Sequence, residues 1–272
     1  MKCKDWSVGV CSWSLRTDIE GVAEVMNELG VKHIHLSVRP ALGEDGSKYL
    51  ASVSEQDWTI SSTMIDFPQE DYSTLESIKV TGGIVPDEYW ERNRELFLRA
   101  VEVTSGLGVK YLSMHAGFID ESNTAYARKF YERIGYLADA AGEKEILLLL
   151  ETGQETSEEL RRFLEELDHP SVGVNFDPAN MILYDKGDPV QAVSVLQPYI
   201  RHVHIKDAVR TNQPGTWGTE VPWGDGQVGC EAFLMALAEI DYKGVLAIER
   251  ESGDDRFGDI KLAVERLSGF DR

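Results

Sequence analysis

The sequence predicts an α/β fold, a single (β/α)8 TIM barrel, on three observations. Short apolar runs alternate with amphipathic segments along the chain, the pattern of repeated βα units. Eight such runs can be counted, and 272 residues is close to the roughly 250 that one barrel of this kind needs. No Pro/Gly/Ser-rich linker or low-complexity tract interrupts them, so residues 1-272 read as one domain.

The strands are expected near residues 7–12, 33–37, 59–64, 110–115, 146–151, 172–177, 202–206 and 245–249. Between them, Thr17-Asp18-Ile19-Glu20 has the spacing of a capping box, with Ile19, Val22, Met26 and Leu29 on one helical face and Gly30 as the stop. Residues 90–107 form the longest periodic stretch, with Phe97, Ala100, Val101 and Thr104 on one side and Gly108 ending it. Residues 156–167 repeat the formula: Thr156 and Glu159 can cap, while Leu160, Phe163, Leu164 and Leu167 face inward. Phe233, Leu234, Leu237 and Ile240 mark a helix before the last strand. Two connections are long, 67–87 and 211–229, and both follow strand C-termini, the face where barrel enzymes keep their active sites.

Composition narrows the function. Hydrophobic residues make up 42% and charged ones 27%, as in ordinary soluble globular proteins. The 27 Lys and Arg against 47 Asp and Glu leave a formal charge of −20, which opposes nucleic acid and anionic membranes as partners. Cys3, Cys11 and Cys230 are few and odd in number, so no disulfide framework is expected, and Cys11 reads as a buried, inert thiol. No signal-peptide core follows Met1, and the longest apolar run, 146–150, is too short to span a bilayer. A cytoplasmic enzyme is expected. The oligomeric state stays open, although the 67–87 loop can reach a neighbouring subunit in a homo-oligomer or act as a lid.

Four polar residues end strands that otherwise read as buried. Glu151 follows Ile146-Leu147-Leu148-Leu149-Leu150, and Asp177 follows Val172-Gly173-Val174-Asn175-Phe176. His204 lies in His202-Val203-His204-Ile205-Lys206, and Glu249 follows Val245-Leu246-Ala247-Ile248. Singly, each reads equally as a hydrogen-bonded strand end or a helix cap. Together they come from four consecutive units and would converge on one side of the barrel mouth. Two Glu, one Asp and one His suit one divalent metal ion: Mn2+, Mg2+, Co2+ or Zn2+.

The stretches Leu150-Glu151-Thr152, Asn175-Phe176-Asp177-Pro178-Ala179-Asn180, Val203-His204-Ile205-Lys206-Asp207 and Ile248-Glu249-Arg250-Glu251 resemble those of the xylose isomerase-like sugar isomerase/epimerase superfamily. The resemblance is specific in the second half and loose in the first hundred residues. It implies a metal-dependent TIM barrel, with Glu151, Asp177, His204 and Glu249 at the positions of the superfamily's Glu-Asp-His-Glu quartet. It also implies a small-molecule carbohydrate substrate, phosphorylated or not, and Glu151 and Glu249 as the catalytic acid/base pair. One position departs. Several ketose 3-epimerases carry a histidine three residues after the metal-binding Asp; here it is Asn180, which can bond a hydroxyl but not shuttle a proton.

The reaction expected is proton abstraction next to a carbonyl, with the negative charge stabilised by the ion. His115 reads as a substrate-hydroxyl contact or a satisfied strand-end histidine. Lys206 lies two residues beyond His204 and so on the same side; it reads as an anion holder or a salt bridge. Arg250 should point the other way, into a structural ion pair. Trp13 and Trp223 can stack on a sugar ring or simply pack. Lys206, Arg210 and Arg256 are cations that could meet a phosphate, but nothing in the sequence brings them together. Residues 224–229 are glycine-rich without a nucleotide-binding context and read as a loop over the site. Two rivals use related chemistry. A lyase, dehydratase or hydrolase of 3-keto-glycosides would eliminate a group instead of returning the proton. An abasic-site endonuclease-like repair enzyme would need a zinc cluster held by further histidines. A non-enzymatic sugar-binding barrel is disfavoured because no member of the quartet is missing.

Overall fold

A computed structural model describes residues 1–120 and 122–270. Eight parallel strands close on themselves: β1 Trp6–Cys11, β2 His33–Ser37, β3 Thr59–Met64, β4 Tyr111–Met114, β5 Leu147–Glu151, β6 Val172–Phe176, β7 Ile200–Ile205 and β8 Leu246–Ile248. Each pairs with its sequence neighbours, and β1 completes the ring by pairing with both β2 (Val10 opposite Ile34) and β8 (Val10 opposite Ile248). Lys2–Cys3 adds a short antiparallel strand beside β1. The order expected from the apolar runs is therefore the order observed.

The helices show which local signals carried weight. Helix α1 (Ile19–Leu29) is capped by Asp18, whose carboxylate accepts from the Gly21 N–H at 3.0 Å; the expected start at Thr17 is displaced by one residue. A carboxylate at that end also meets the positive pole of the helix, an advantage a hydroxyl lacks. Gly30 takes the left-handed conformation that closes it. After α2 (Gly46–Ser54), the 67–87 connection contains a helix that the sequence did not announce, α3 (Leu75–Thr81), capped reciprocally by Thr74 and Ser77. Serine in place of Glu or Gln hides that capping box. Helix α4 (Asp87–Gly106) begins three residues earlier than expected, behind Pro86 and with Asp87 and Glu88 in its first turn. Its buried face is Phe97, Ala100, Val101 and Thr104. Helix α5 (Thr124–Gly142) precedes β5, and α6 (Ser157–Leu167) has the predicted capping box, with Glu159 N donating to Thr156 Oγ1 at 3.2 Å. Beyond β6 come α7 (Pro178–Leu183) and α8 (Pro189–Leu196); α9 (Cys230–Glu239) precedes β8 and α10 (Arg256–Ser268) follows it.

Both long connections are pinned by a buried or half-buried carboxylate. Glu70 accepts from the N–H of Phe67 (3.2 Å) and of Gly83 (3.1 Å), folding the 67–87 segment onto the end of β4. Gly83 is required there: its φ is +69°, and a Cβ would stand 2.0 Å from the Ala116 carbonyl oxygen. After β7, Asp207–Val209 pairs with Thr219–Val221, and the Asp207 carboxylate gathers the N–H groups of Ala208, Gly224, Gly226 and Val228 at 2.8–3.1 Å. The glycine-rich segment therefore wraps Asp207.

Glu155, beyond β5, is buried, and desolvation with help from Glu159 pushes its carboxyl up to about 8 from 4.5, against the pull of Lys186. The native state then keeps a proton that the unfolded chain gives up. This stabilisation is complete below about pH 4.5, declines above it and is gone above about pH 8. Glu155→Gln is expected to raise the melting temperature at pH 8–9, by a stability gain on the order of 3 kcal/mol, and to change it little at pH 4. Equal effects at both pH values, by calorimetry, would contradict a titrating Glu155.

Candidate active site

The quartet converges. His204 Nδ1 lies 3.5 Å from Glu151 Oε1, 3.4 Å from Asp177 Oδ2 and 3.3 Å from Glu249 Oε2, and all four ligand atoms fall within 4.8 Å of one another. None of the four residues is more than 5% exposed. Each is placed by its element: Glu151 ends β5, His204 lies in β7 and Glu249 directly follows β8. Asp177 has two tasks. Its Oδ1 caps α7 by accepting from the Asn180 N–H at 2.9 Å, which leaves Oδ2 facing the centre.

Neighbours hold the carboxylates in orientation. Asn180 Nδ2 donates to Glu151 Oε1 (3.0 Å) and Asn175 Nδ2 to Glu151 Oε2 (3.1 Å). The Trp13 indole donates to Glu249 Oε1 (2.7 Å), while Lys206 Nζ reaches Glu249 Oε2 (2.8 Å), Glu251 Oε2 (2.7 Å), Asn180 Oδ1 (3.2 Å) and Asp177 Oδ2 (3.5 Å). Of the two readings for Lys206, the salt bridge is the one observed. Arg250 points away from this group and is clamped by Glu220 (2.6 Å) and Asp259 (2.8 Å).

Beneath the quartet lies a layer that sequence reasoning missed. His35 Nδ1 stands 2.9 Å from His204 Nε2, and the Asn175 side chain spans from Glu151 to His202 Nδ1 (2.9 Å), whose Nε2 meets Ser61 Oγ at 3.0 Å. One signal was available: an asparagine inside the apolar run 172–176 has to find partners in the barrel interior.

The donor set fits a divalent cation. Three carboxylates and one imidazole nitrogen point at one place, and Lys206 offsets only part of their charge. Burial alone would raise the Glu249 carboxyl, yet Lys206 and His204 hold it well below the usual range. Burial likewise opposes a charged His204, but the carboxylates of Glu249, Glu151 and Asp177 raise the imidazole well above its ordinary value. The centre calls for positive charge, in oxygen and nitrogen chemistry suited to such an ion. Cys11 itself is buried and its thiol is pushed up to about 12, chiefly by desolvation, as expected of an inert thiol.

A cavity of about 690 Å3 at the C-terminal ends of the strands reaches the quartet at Glu249. Trp13, His115, Asn180 and Glu249 line it. His115 Nε2 is 3.8 Å from Glu151 Oε1 and meets the Tyr72 ring edge-on. Both long connections reach it, 67–87 through Phe67, Glu70 and Tyr72 and 211–229 through Trp217, Gly218 and Glu220. Trp223, expected at the site, is not brought there: it is buried against Phe233 and its carbonyl is held by Arg266. Trp217, from the same loop, lines the cavity instead, edge-on to Tyr184 at 4.7 Å. A second cavity, of about 460 Å3, lies at the other end of the barrel by Tyr111, Ile200 and Val245 and touches none of the quartet.

Among the described residues, two groups of His, Cys, Asp and Glu are close enough to hold an ion, and both include His204. His33 opens β2 and His169 pairs with Asp139, so neither extends the quartet toward a cluster of several ions. Also among the described residues, no helix is long and apolar enough to cross a membrane.

Comparison with known proteins agrees with this architecture. The inosose dehydratase of Clostridium botulinum (strain Eklund 17B / Type B) is 27% identical over 147 residues, covering 47% of this chain and 48% of that protein. The chain thus spans about half the length of that relative. The ketose 3-epimerase of Arthrobacter globiformis is 23% identical over 253 residues, 87% of this chain and 80% of that protein. The crystal structure of a xylose isomerase domain protein from Planctomyces limnophilus superposes with a TM-score of 0.87 at 29% identity, covering 99% of this chain and 98% of that one. The family model described as xylose isomerase-like TIM barrel matches residues 28–269, and the chain belongs to that family.

Proposed function

We propose that this protein is a divalent-metal-dependent isomerase or epimerase of a sugar or sugar-like polyol, acting by proton abstraction next to a carbonyl. The observation that carries this reading is the convergence of Glu151, Asp177, His204 and Glu249, all buried, beneath a cavity large enough for a small sugar. A divalent ion held by these four residues would supply the positive charge against which an enediolate's negative charge develops. Glu151 is the proposed base. Its oxygens are oriented by the side-chain amides of Asn175 and Asn180, and His115 beside it can bond a substrate hydroxyl. Glu249, fixed by Trp13 and Lys206, is the proposed partner on the second face of the reacting carbon. Three free cysteines suit a reducing compartment, so the cytoplasm is the proposed location.

A dehydratase or lyase, including one for 3-keto-glycosides, is the second reading, and one contact favours it. Lys206 stabilises Glu249 as the carboxylate, and Asn180 stands where a histidine could carry a proton. Loss of a leaving group needs no proton returned to the neighbouring carbon. The relative named as an inosose dehydratase points the same way. NMR of the metal-loaded protein with ketoses and keto-polyols in D2O separates the two. Deuterium beside the carbonyl on an intact polyol with an inverted or migrated oxygen is expected for isomerisation or epimerisation; loss of a hydroxyl or glycosidic group marks elimination. Protein carrying about one Mn2+ per chain that exchanges no carbon-bound proton of any of them would end the enediolate reading.

A further inference from the structure

The geometry points to an uncharged polyol as the substrate, with phosphate esters excluded by the way the loops after β7 and β8 are built. This inference rests on the cavity described above being the substrate site.

A barrel that takes phosphorylated sugars commonly binds the phosphate on backbone N–H groups in the loops after strands seven and eight. In this chain those donors are already taken by its own carboxylates. After β7, the N–H groups of Gly224, Gly226 and Val228 all point at Asp207. After β8, the N–H groups of Glu251 and Ser252 point at Glu220 Oε1, at 3.0 and 3.3 Å. Asp207 is fully buried, and a Cβ on Gly226 would stand 2.2 Å from its Oδ1, so no room is left there for a second anion. Both anion nests are thus filled from within the molecule.

The side chains around the cavity are predominantly acidic, with His115 the basic group on the wall among the described residues. The cavity wall carries Asp66, Glu70, Glu220, Glu249 and Glu251, and among the described residues no Lys or Arg lines it. Nearby cations are committed elsewhere: Lys206 to Glu249 and Glu251, and Arg250 to Glu220 and Asp259. Arg210 is bound to Asp185 and the Gly187 carbonyl, while Arg256 donates to the Ser14 carbonyl and does not line the cavity. A phosphate monoester would bring up to about two further negative charges into this field.

What the wall does offer is aromatic surface. Trp13, Tyr184 and Trp217 line it, and the Trp217 indole N–H, buried and without a protein acceptor, can take a hydroxyl oxygen after a small shift. Aromatic faces with hydrogen-bonding rims recognise the C–H face and hydroxyls of an uncharged sugar.

The test is a fluorescence titration of the Mn2+-loaded protein, which has Trp13 and Trp217 on the cavity wall. The probes are D-ribulose, D-fructose and an inosose, set beside D-ribulose 5-phosphate and D-fructose 6-phosphate. Saturable quenching by at least one uncharged member is expected, with its ester at least about 100-fold weaker. The gap should narrow between about 0.05 and 0.5 M salt, as screening weakens the repulsion. Trp217→Ala should weaken the uncharged ligand about tenfold or more. An ester that binds as tightly as its parent sugar, or no response to any uncharged member, overturns the inference. Binding of an uncharged sugar without deuterium exchange would leave the inference standing while removing the proposed reaction. Exchange seen on an ester in preference to its parent sugar would do the reverse.

Discussion

Glu151→Gln is expected to lower carbon-bound deuterium exchange by about 10^3-fold while the protein stays folded. The change keeps the shape of the side chain and removes the basic oxygen. Asn175 and Asn180 each donate an amide N–H to Glu151, so the new amide must turn its own NH2 toward one of those donors. That mismatch costs on the order of 1 to 2 kcal/mol, a drop of a few degrees in melting temperature, and also costs metal affinity through the lost charge. Measuring exchange at saturating Mn2+, with the metal content of each sample, separates the lost base from the lost ligand. His115→Gln should act more weakly, since His115 stands 3.8 Å from Glu151 and is placed to contact substrate. A Glu151→Gln protein that holds its metal and keeps more than a tenth of the exchange would move the base elsewhere, and Glu249 would be the first residue to test.

The barrel was legible because its signal is local. Each strand is an apolar run of a few residues, and each of Glu151, Asp177, His204 and Glu249 lies at or near the C-terminal end of such a run, so counting units placed all four on one rim. What was hidden depends on contacts between distant residues. Asp177 also caps α7, and although a helix cap was one of the readings open for each member of the quartet, no helix was placed after Asp177-Pro178. His35, Asn175 and His202 sit in strand interiors, where a polar residue shows that partners exist but not which ones. The choice between Trp217 and Trp223 is decided by the path of one loop. That path is set by Asp207 collecting N–H groups up to 21 residues away, and no sequence period encodes it. Arg250 was readable because alternation along a strand is a local rule. Its partner Glu220, from the same loop, was not.

Lys206→Met is expected to be the most destabilising single change at the site, by about 3 to 5 kcal/mol in the metal-free protein. The side chain is 2% exposed, and its ammonium touches Glu249, Glu251 and Asp177. Replacing a whole buried ion cluster by apolar groups can be neutral, but removing the ammonium alone leaves several carboxylates close together with less positive charge to offset them. The pH dependence has a definite sign. Burial raises the Glu249 carboxyl, and Lys206 with His204 more than reverses this, so in the parent protein Glu249 contributes stability above the usual carboxylate range that is lost as pH falls. The variant lacks that contribution, so the two melting curves should draw together as pH falls below about 4.5. A divalent ion acts in the opposite direction to the substitution. With the ammonium gone it has more negative charge to neutralise, so Mn2+ should raise the melting temperature of Lys206→Met by more than that of the parent. A smaller shift in the variant would mean that Lys206 serves mainly to orient Glu249 and Asp177, and that charge balance at the quartet comes second.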